Sequence, residues 1–442
     1  MSDLPSYSDY KESGVEWLGK IPSHWEISRL KFLGDIVLGL TYSPEDITTE
    51  NGILVFRSSN VQNGQLTFDD NIYVDKDIPK KMITTEYDIL ICSRNGSRDL
   101  IGKSALISEE GIGQTFGAFM TIFRTHYRKY IYYILNSALF KYQIGSFLTS
   151  TINQLTTYVL GNFKICFPSL EEQKAITRYL DKKLAQIDTL ITKQQALLEK
   201  LAEQRIALIS NAVTKGLNPD VEMKESGVEW LGKIPLDWTI KRLKFLLVGK
   251  LKYGANESAE SEDLGQPRYI RITDIDEKGN LRDETFKSLE IEKAQEYLLK
   301  DLDILLARSG ATVGKSYLYH KNSVGSACYA GYLIRARLNF HKFDAEFVNY
   351  FLQSKNYWDW INSINIQSTI QNVSAEKYSD LVLAIPPLLL QKQIVQILKA
   401  EDLEFEITTN KGNELITLLK EYRSTLITQA VTGKIDVRNL AN

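Results

Sequence analysis

Ser309–Ser316 reads SGATVGKS, and Gly-Lys-Ser after a glycine turn is the sort of segment that can cradle nucleotide phosphates. That chemistry needs four residues between the first glycine and the Gly-Lys-Ser, because the backbone must wrap the β-phosphate. Gly310 and Gly314 have three between them, and the matching pair Gly96 and Gly102 has five. The two segments miss the register on opposite sides, so ATP binding is not expected. Pro219–Lys224, PDVEMK, carries the letters of a nuclease metal site. Its carboxylates would have to come from separate strands, yet one residue separates Asp220 from Glu222, so a linker is expected. His24, His126, His320 and His341 lack metal-ligand spacing. Cys92, Cys166 and Cys328 form neither a disulfide framework nor a zinc pattern, and they suit a reducing cytoplasm. No Asn-Pro-Pro-Tyr or Asp-Pro-Pro-Tyr occurs to hold a flipped adenine, and no glycine-rich strand-loop-helix suggests an S-adenosylmethionine pocket. The chain is expected to be non-catalytic, with no cofactor or metal of its own.

Binding chemistry is better represented. Arg94 and Arg308 follow apolar strand-like runs at equivalent places, and Lys103 and Lys315 end the glycine turns after them. Arginine suits guanine edges and lysine suits phosphate. Three polar runs add donors and acceptors that can pair with bases: Arg57–Asn63 (RSSNVQN), Ser150–Gln154 (STINQ) and Gln367–Asn372 (QSTIQN). The candidate DNA contacts are Arg57, Ser58, Ser59, Asn60, Arg94, Asn95, Lys103, Asn153 and Gln154 in the first half. Arg271, Thr273, Arg308, Ser309, Lys315, Gln371 and Asn372 are their counterparts in the second. Taken singly, each run reads better as a solvated turn. Their recurrence in both halves, beside Arg57 and Arg271, favours DNA.

That recurrence reflects the organisation of the whole chain. Lys11–Pro22, KESGVEWLGKIP, is repeated letter for letter at Lys224–Pro235, and SHWEISRLKFL after it is matched by LDWTIKRLKFL. YDILICSRNGSRDLIGKS pairs with LDILLARSGATVGKS, STINQL with STIQNV, and ALISNAVTKG with TLITQAVTGK. A period above 200 residues is far too long for a solenoid. It describes a duplicated protein with a pseudo-twofold axis. In each half a region rich in Tyr, Gly, Asn and short β-like runs ends at a proline, Pro168 or Pro386, and a long helical pattern follows.

The first helical pattern places Leu180, Leu184, Ile187, Ile191, Leu198, Leu201, Leu208 and Ala212 on one stripe, interrupted by Gln194 and Arg205. The second uses Ile394, Leu398, Phe405, Leu415, Leu419, Tyr422 and Leu426, with Gly412 on the seam. Steps of three and four describe a coiled-coil seam. A glycine there costs ~1 kcal/mol relative to alanine, so a weak point or break is expected at Gly412. The two stripes are expected to pack on each other, antiparallel; two separate helices on their own domains are the alternative. Trp17, Trp25, Trp230 and Trp238 recur with the edge phrase and read as packing between globule and helix, or as part of an interface with a partner.

Bulk properties bound these readings. The chain has 442 residues, 43% hydrophobic and 24% charged, with a formal charge of −2, so DNA binding must rest on local patches or shared contacts. The opening MSDLPSYSDYKESG is not a signal peptide, and no stretch approaches the ~18 apolar residues of a membrane span. A cytoplasmic location is expected.

Carried by GVEWLGKIPSHW with GVEWLGKIPLDW, PSLEEQKAI with PPLLLQKQI, and LISNAVTKG with LITQAVTGK, the chain resembles the specificity subunit of type I restriction-modification enzymes. Leu388–Lys392 departs from the first copy in lacking the acidic pair Glu171 and Glu172. The resemblance implies an internally duplicated α+β fold with two globular target-recognition domains, 1–168 and 218–386. Two long helices, 169–217 and 387–442, would form an antiparallel coiled coil between them. It implies that each globule reads one half of a split site in double-stranded DNA, with the helices setting the spacing. It also implies docking of two methyltransferase subunits, which would bind S-adenosylmethionine, and of motor-nuclease subunits that would use ATP. The competing reading is a duplicated protein-interaction scaffold without its own sequence readout; an ATPase or nuclease comes third.

Overall fold

The computed structural model describes residues 4–49, 52–147, 153–258, 261–276, 279–365 and 372–440. Contacts divide the chain into two compact units, Met1–Gln195 with Asn413–Asn442, and Ala196–Gly412.

The first unit is built on the run DILIC. Its five residues are all buried, as a strand covered on both faces must be. This strand, Asp88–Cys92, is central in an antiparallel sheet with Ser104–Leu106 on one side and Met120–Arg124, then Asp35–Leu38, on the other. Alternation along it sorts two cores. Ile89 and Ile91 face a core containing Trp25, Tyr130 and the long helices, while Leu90 and Cys92 face Phe56, Phe116 and Ile122. The second unit repeats the plan with Ile304–Ala307 between Ser316–Leu318 and Leu333–Ala336, the latter also pairing with Lys252–Tyr253. Ile304 and Leu306 face the helix side, and Leu305 and Ala307 face Tyr317, Tyr319 and Tyr329.

One buried ion pair recurs at the start of each central strand. Arg124 donates from Nε and Nη2 to the two Asp88 oxygens at 2.7 and 2.8 Å, and Arg337 does the same to Asp303 at 2.7 and 2.6 Å. Both aspartates are fully buried. Hydrogen bonding to Asp88 and to Asp303 holds the two guanidinium groups above their ordinary range.

The repeated phrase forms the same hairpin twice, Tyr10–Glu12 with Lys20–Pro22 and Met223–Glu225 with Lys233–Pro235. Trp25 and Trp238 are fully buried beneath it, which realises the packing reading. Each lies against the glycine that ends a long helix: a Cβ on Gly433 would stand 3.1 Å from Trp25, and one on Gly216 would stand 3.3 Å from Trp238. Both glycines have positive φ, so only glycine suits them. Trp17 and Trp230 are half-buried at the margins of the same cores.

The long helices span Leu170–Lys215 and Leu388–Val431, and each contributes one stretch to each unit. In the first unit Leu180, Leu184 and Ile187 share a core with Leu426, Ile427, Ala430 and Val431. Leu180 and Leu184 lie in the core with Leu426 and Ala430, and further along Asp188 meets Arg423 at 3.0 Å. Glu172, near the start of the first helix, faces Arg438, beyond the end of the second, at 4.0 Å, so rising numbers in one helix meet falling numbers in the other. In the second unit Ile209, Ala212 and Val213 share a core with Ile394, Val395 and Leu398. Arg205, a polar interruption in the sequence pattern, grips Asp402 through Nε and Nη2 at 2.6 and 3.1 Å. Within each unit the two helices therefore pack on each other, antiparallel, rather than separately.

Three expectations for the seam are corrected. The second helix runs unbroken through Gly412, which is buried. One glycine costs ~1 kcal/mol, which a helix of 44 residues absorbs without breaking. Leu415 is 45% exposed and Tyr422 37% exposed, while the neighbouring Ile416 is buried. The stripe drifts by one residue there, because a straight helix does not keep a strict heptad. Ile191, Leu198, Leu201, Phe405 and Leu419 are half-buried.

Candidate nucleic-acid interface

In the first unit Arg94 stands two residues beyond the central strand, exposed, its guanidinium 5.2 Å from the centre of the Phe119 ring. Phe119 sits on the turn between Thr115–Phe116 and Met120–Arg124. Its carbonyl accepts the backbone N–H groups of Ser93 and Arg94, both at 3.0 Å. The ring is 57% exposed. Gln154, also exposed, bridges to Arg94, and Leu155 N–H donates to Ser93 O at 2.7 Å.

The second unit repeats the backbone frame, but its arginine stands one residue earlier in register. Arg308 takes the place of Ser93 and Ser309 that of Arg94, which corrects the expectation that the two arginines are equivalent. Arg308 N–H donates to Tyr332 O at 3.1 Å, and Tyr332 is 63% exposed. The Arg308 guanidinium lies 4.8 Å from the ring of Tyr253 on the neighbouring edge strand. Val373 N–H donates to Arg308 O at 2.8 Å, and Asn372 bridges to Ser309. Arg308 Nε and Asn372 Oδ1 are both shielded from solvent without a hydrogen-bond partner, two polar atoms at one place with capacity left over.

A glycine in each unit permits this geometry. A Cβ on Gly39 would lie 2.0 Å from Gly117 O, and one on Gly254 would lie 2.3 Å from Tyr329 O. Only a bare backbone lets the edge strand approach the turn that carries the aromatic ring.

Other candidates divide between surface and scaffold. Asn95 Nδ2 donates to Ser58 Oγ at 3.0 Å, and Lys103 Nζ donates to Ser58 O at 2.9 Å, so these three side chains gather beside Arg94. Ser59 is half-buried, with an Oγ that has no partner. Asn60 is corrected from base reader to structural residue. It is fully buried, its Oδ1 accepts Arg57 N–H at 2.9 Å, and its Nδ2 donates to Thr67 O and Asp70 O. Arg57 is drawn to Asp70 at 2.9 Å. Arg271 is likewise held by Asp274 at 2.8 Å and by Thr285 O at 2.7 Å. Thr273 is exposed beside it; Ser309, Lys315 and Asn153 are half-buried. Gln371 lies outside the described residues.

Sequence reasoning missed Phe119, Tyr332 and Tyr253. The available signal was the match of FGAFM (Phe116–Met120) with YAGYL (Tyr329–Leu333), which keeps an aromatic residue at the fourth place. All three cysteines are buried, and burial pushes their thiols up, to about 12 for Cys166 and Cys328. Among the described residues no group of His, Cys, Asp and Glu is placed to hold a metal ion. None of the described helices is long and apolar enough to cross a membrane. Arginine, aromatic ring and amide on a surface turn can stack, donate and accept; that is recognition chemistry.

The family model for the type I restriction modification DNA specificity domain matches residues 22–200 and 235–417. The chain is 24% identical over 433 residues to the type I restriction enzyme EcoKI specificity subunit of Escherichia coli K12, covering 94% of this chain and 90% of that protein. It is 23% identical over 436 residues to the StySPI specificity subunit of Salmonella potsdam, with 94% and 90% covered. A solved chain from work on assembly and conformational transition of the type I R-M system shares the fold, with TM-score 0.70 at 13% identity, over 93% of this chain and 98% of that one.

Proposed function

The chain belongs to the type I restriction-modification DNA specificity family, and we propose that each of its units reads one half of a bipartite site in double-stranded DNA. The observation that carries this reading is the twin constellation. Arg94 with Phe119 and Gln154, and Arg308 with Tyr253, Tyr332 and Asn372, stand on the same backbone frame, with the arginines one residue apart in register and resting on rings from different elements. Two half-sites of different sequence require that combination of common frame and divergent tips.

The mechanism is recognition without bond making. Lysines and backbone N–H groups hold phosphates, which positions each unit on the duplex. Arginine and amide side chains then reach base edges. A guanidinium resting on a ring has fewer orientations to lose on binding, so less of its contact energy goes to ordering. Two methyltransferase subunits carrying S-adenosylmethionine supply the chemistry, and motor-nuclease subunits using ATP join them. The paired helices set the separation of the half-sites.

Mapping methylated adenines in DNA exposed to the assembled complex tests this directly. The expected pattern is one split motif with a fixed gap. Inserting one helical turn in both helices, ~5.4 Å, should widen that gap by one to two base pairs at ~3.4 Å each. An unchanged gap refutes the spacing role. Equal binding to the split duplex and to a scrambled one, with the methyltransferase present, leaves only the scaffold reading.

A further inference from the structure

The phrase Arg-Leu-Lys-Phe-Leu occurs at Arg29–Leu33 and again at Arg242–Leu246, and in both places it is a surface feature. Phe32 is 72% exposed and Phe245 67% exposed, each with its neighbouring lysine Nζ near the ring, at 5.4 and 5.6 Å. In the first unit Arg29 and Lys31 converge on one acceptor, Asn162 Oδ1, at 3.4 and 3.0 Å. In the second, Arg242 and Lys244 converge on Asp380 Oδ1 at 3.1 and 2.9 Å. Packing does not require an exposed phenylalanine and two exposed cations, yet both copies keep them.

The position of this feature says what it meets. In each unit a short capped helix connects it to the arginine turn. Helix Thr157–Asn162 begins just after Leu155, which is bonded to Ser93, and ends at Asn162, which takes Arg29 and Lys31. Helix Ala375–Ser379 begins with Ala375 N–H donating to the Tyr253 hydroxyl at 3.0 Å, beneath Arg308, and is followed by Asp380. Six and five residues of helix are roughly 9 and 7.5 Å, or two to three base-pair steps of ~3.4 Å. The charge pattern agrees. Lys241–Lys252 carries five basic residues and no acidic one, and it leads directly to Tyr253. On the first unit Lys164 pairs across the strands with Arg29, adding a third cation where the acceptor is a neutral asparagine.

We propose that Arg29, Lys31 and Phe32, and Arg242, Lys244 and Phe245, form two grips on the sugar-phosphate backbone of DNA, one beside each reading turn. The identity of the two copies follows from the ligand. Base contacts must differ if the half-sites differ, whereas phosphates and deoxyriboses are the same under any sequence. The cations meet phosphate oxygens and the phenylalanine ring covers the apolar face of a sugar. This inference rests on the DNA-reading function proposed above.

The test uses the full chain and a random-sequence 40-base-pair duplex, with affinity followed by fluorescence anisotropy between 50 and 200 mM salt. Each phosphate contact contributes ~0.9 to the slope of log affinity against log salt, so four contacts make wild-type affinity fall ~150-fold further over that range than the R29A/K31A/R242A/K244A variant. Lys31→Arg with Lys244→Arg should keep the wild-type slope. F32A/F245A should weaken binding equally at every salt concentration. A quadruple variant with the wild-type slope overturns the inference, and one that instead fails to co-purify with the methyltransferase identifies a protein-docking surface. Absence of duplex binding by the wild-type chain even at 50 mM salt overturns both this inference and the DNA-reading function.

Discussion

Replacing Arg124 with alanine removes the partner of a carboxylate that has no exposed surface. Asp88 accepts two charge-assisted bonds from Arg124 and one from Thr85 N–H at 2.7 Å, so the variant leaves a buried charge with a single donor. Breaking a buried pair from one side costs ~3–5 kcal/mol, mostly the penalty of the stranded charge. The Arg124 side chain is 26% exposed, so water can enter the space it vacates and the lower end, ~3 kcal/mol, is expected. Arg337 is only 18% exposed over Asp303, so R337A should cost at least as much in the second unit. For units of this size ~1 kcal/mol corresponds to ~2–4 °C, which places the R124A melting transition roughly 6–12 °C below wild type in differential scanning calorimetry. The double variant D88A/R124A strands no charge and should recover part of the loss. Because Arg94 lies just beyond the same strand, R124A should also weaken half-site discrimination at temperatures near its transition. An R124A transition within ~2 °C of wild type, or a double variant worse than the single one, would show that water already compensates Asp88 and that the reasoning is wrong.

Two further outcomes can be checked. Phe119→Ala, which removes the ring under Arg94, and Tyr253→Ala, which removes the ring under Arg308, should each relax discrimination at one half-site by about 1–3 kcal/mol, roughly 5- to 150-fold in competition binding, while leaving the other half-site unchanged. Hydrogen bonding from Arg438 holds the Asp436 carboxyl below its usual range. A depressed carboxylate adds stability that is fully present above the unfolded value near ~3.9 and is lost as pH falls through the lower folded value. Denaturant midpoints of the first unit should therefore drop below about pH 4, and Asp436→Asn should flatten part of that drop.

The twofold repeat, the two long helices and the central strands DILIC and ILLA were legible in the residues, since each is a local pattern of period or identity. So were the buried Trp25 and Trp238, because a bulky residue kept in both copies of an edge phrase has few places to go. The candidate site was half legible. Arg94 and Arg308 were marked by their position after a strand and before glycines, and the structure sets Gln154 beside Arg94, and Asn372 and Val373 beside Ser309 and Arg308.

What the chain could not declare locally was the direction and partner of each polar side chain. Asn60 and Asn95 have the same donors and acceptors, yet one is enclosed by Thr67 and Asp70 carbonyls and the other lies beside Arg94 on Ser58. Phe56 and Phe119 are the same residue type, but Phe56 is fully buried and Phe119 is 57% exposed. Asp88 and Arg124 meet because antiparallel pairing places them opposite each other across 36 positions of chain. Periodicity and repetition are written in neighbouring residues and survive in sequence. Exposure and pairing depend on which distant segment arrives to cover a side chain, and only the packed fold decides that.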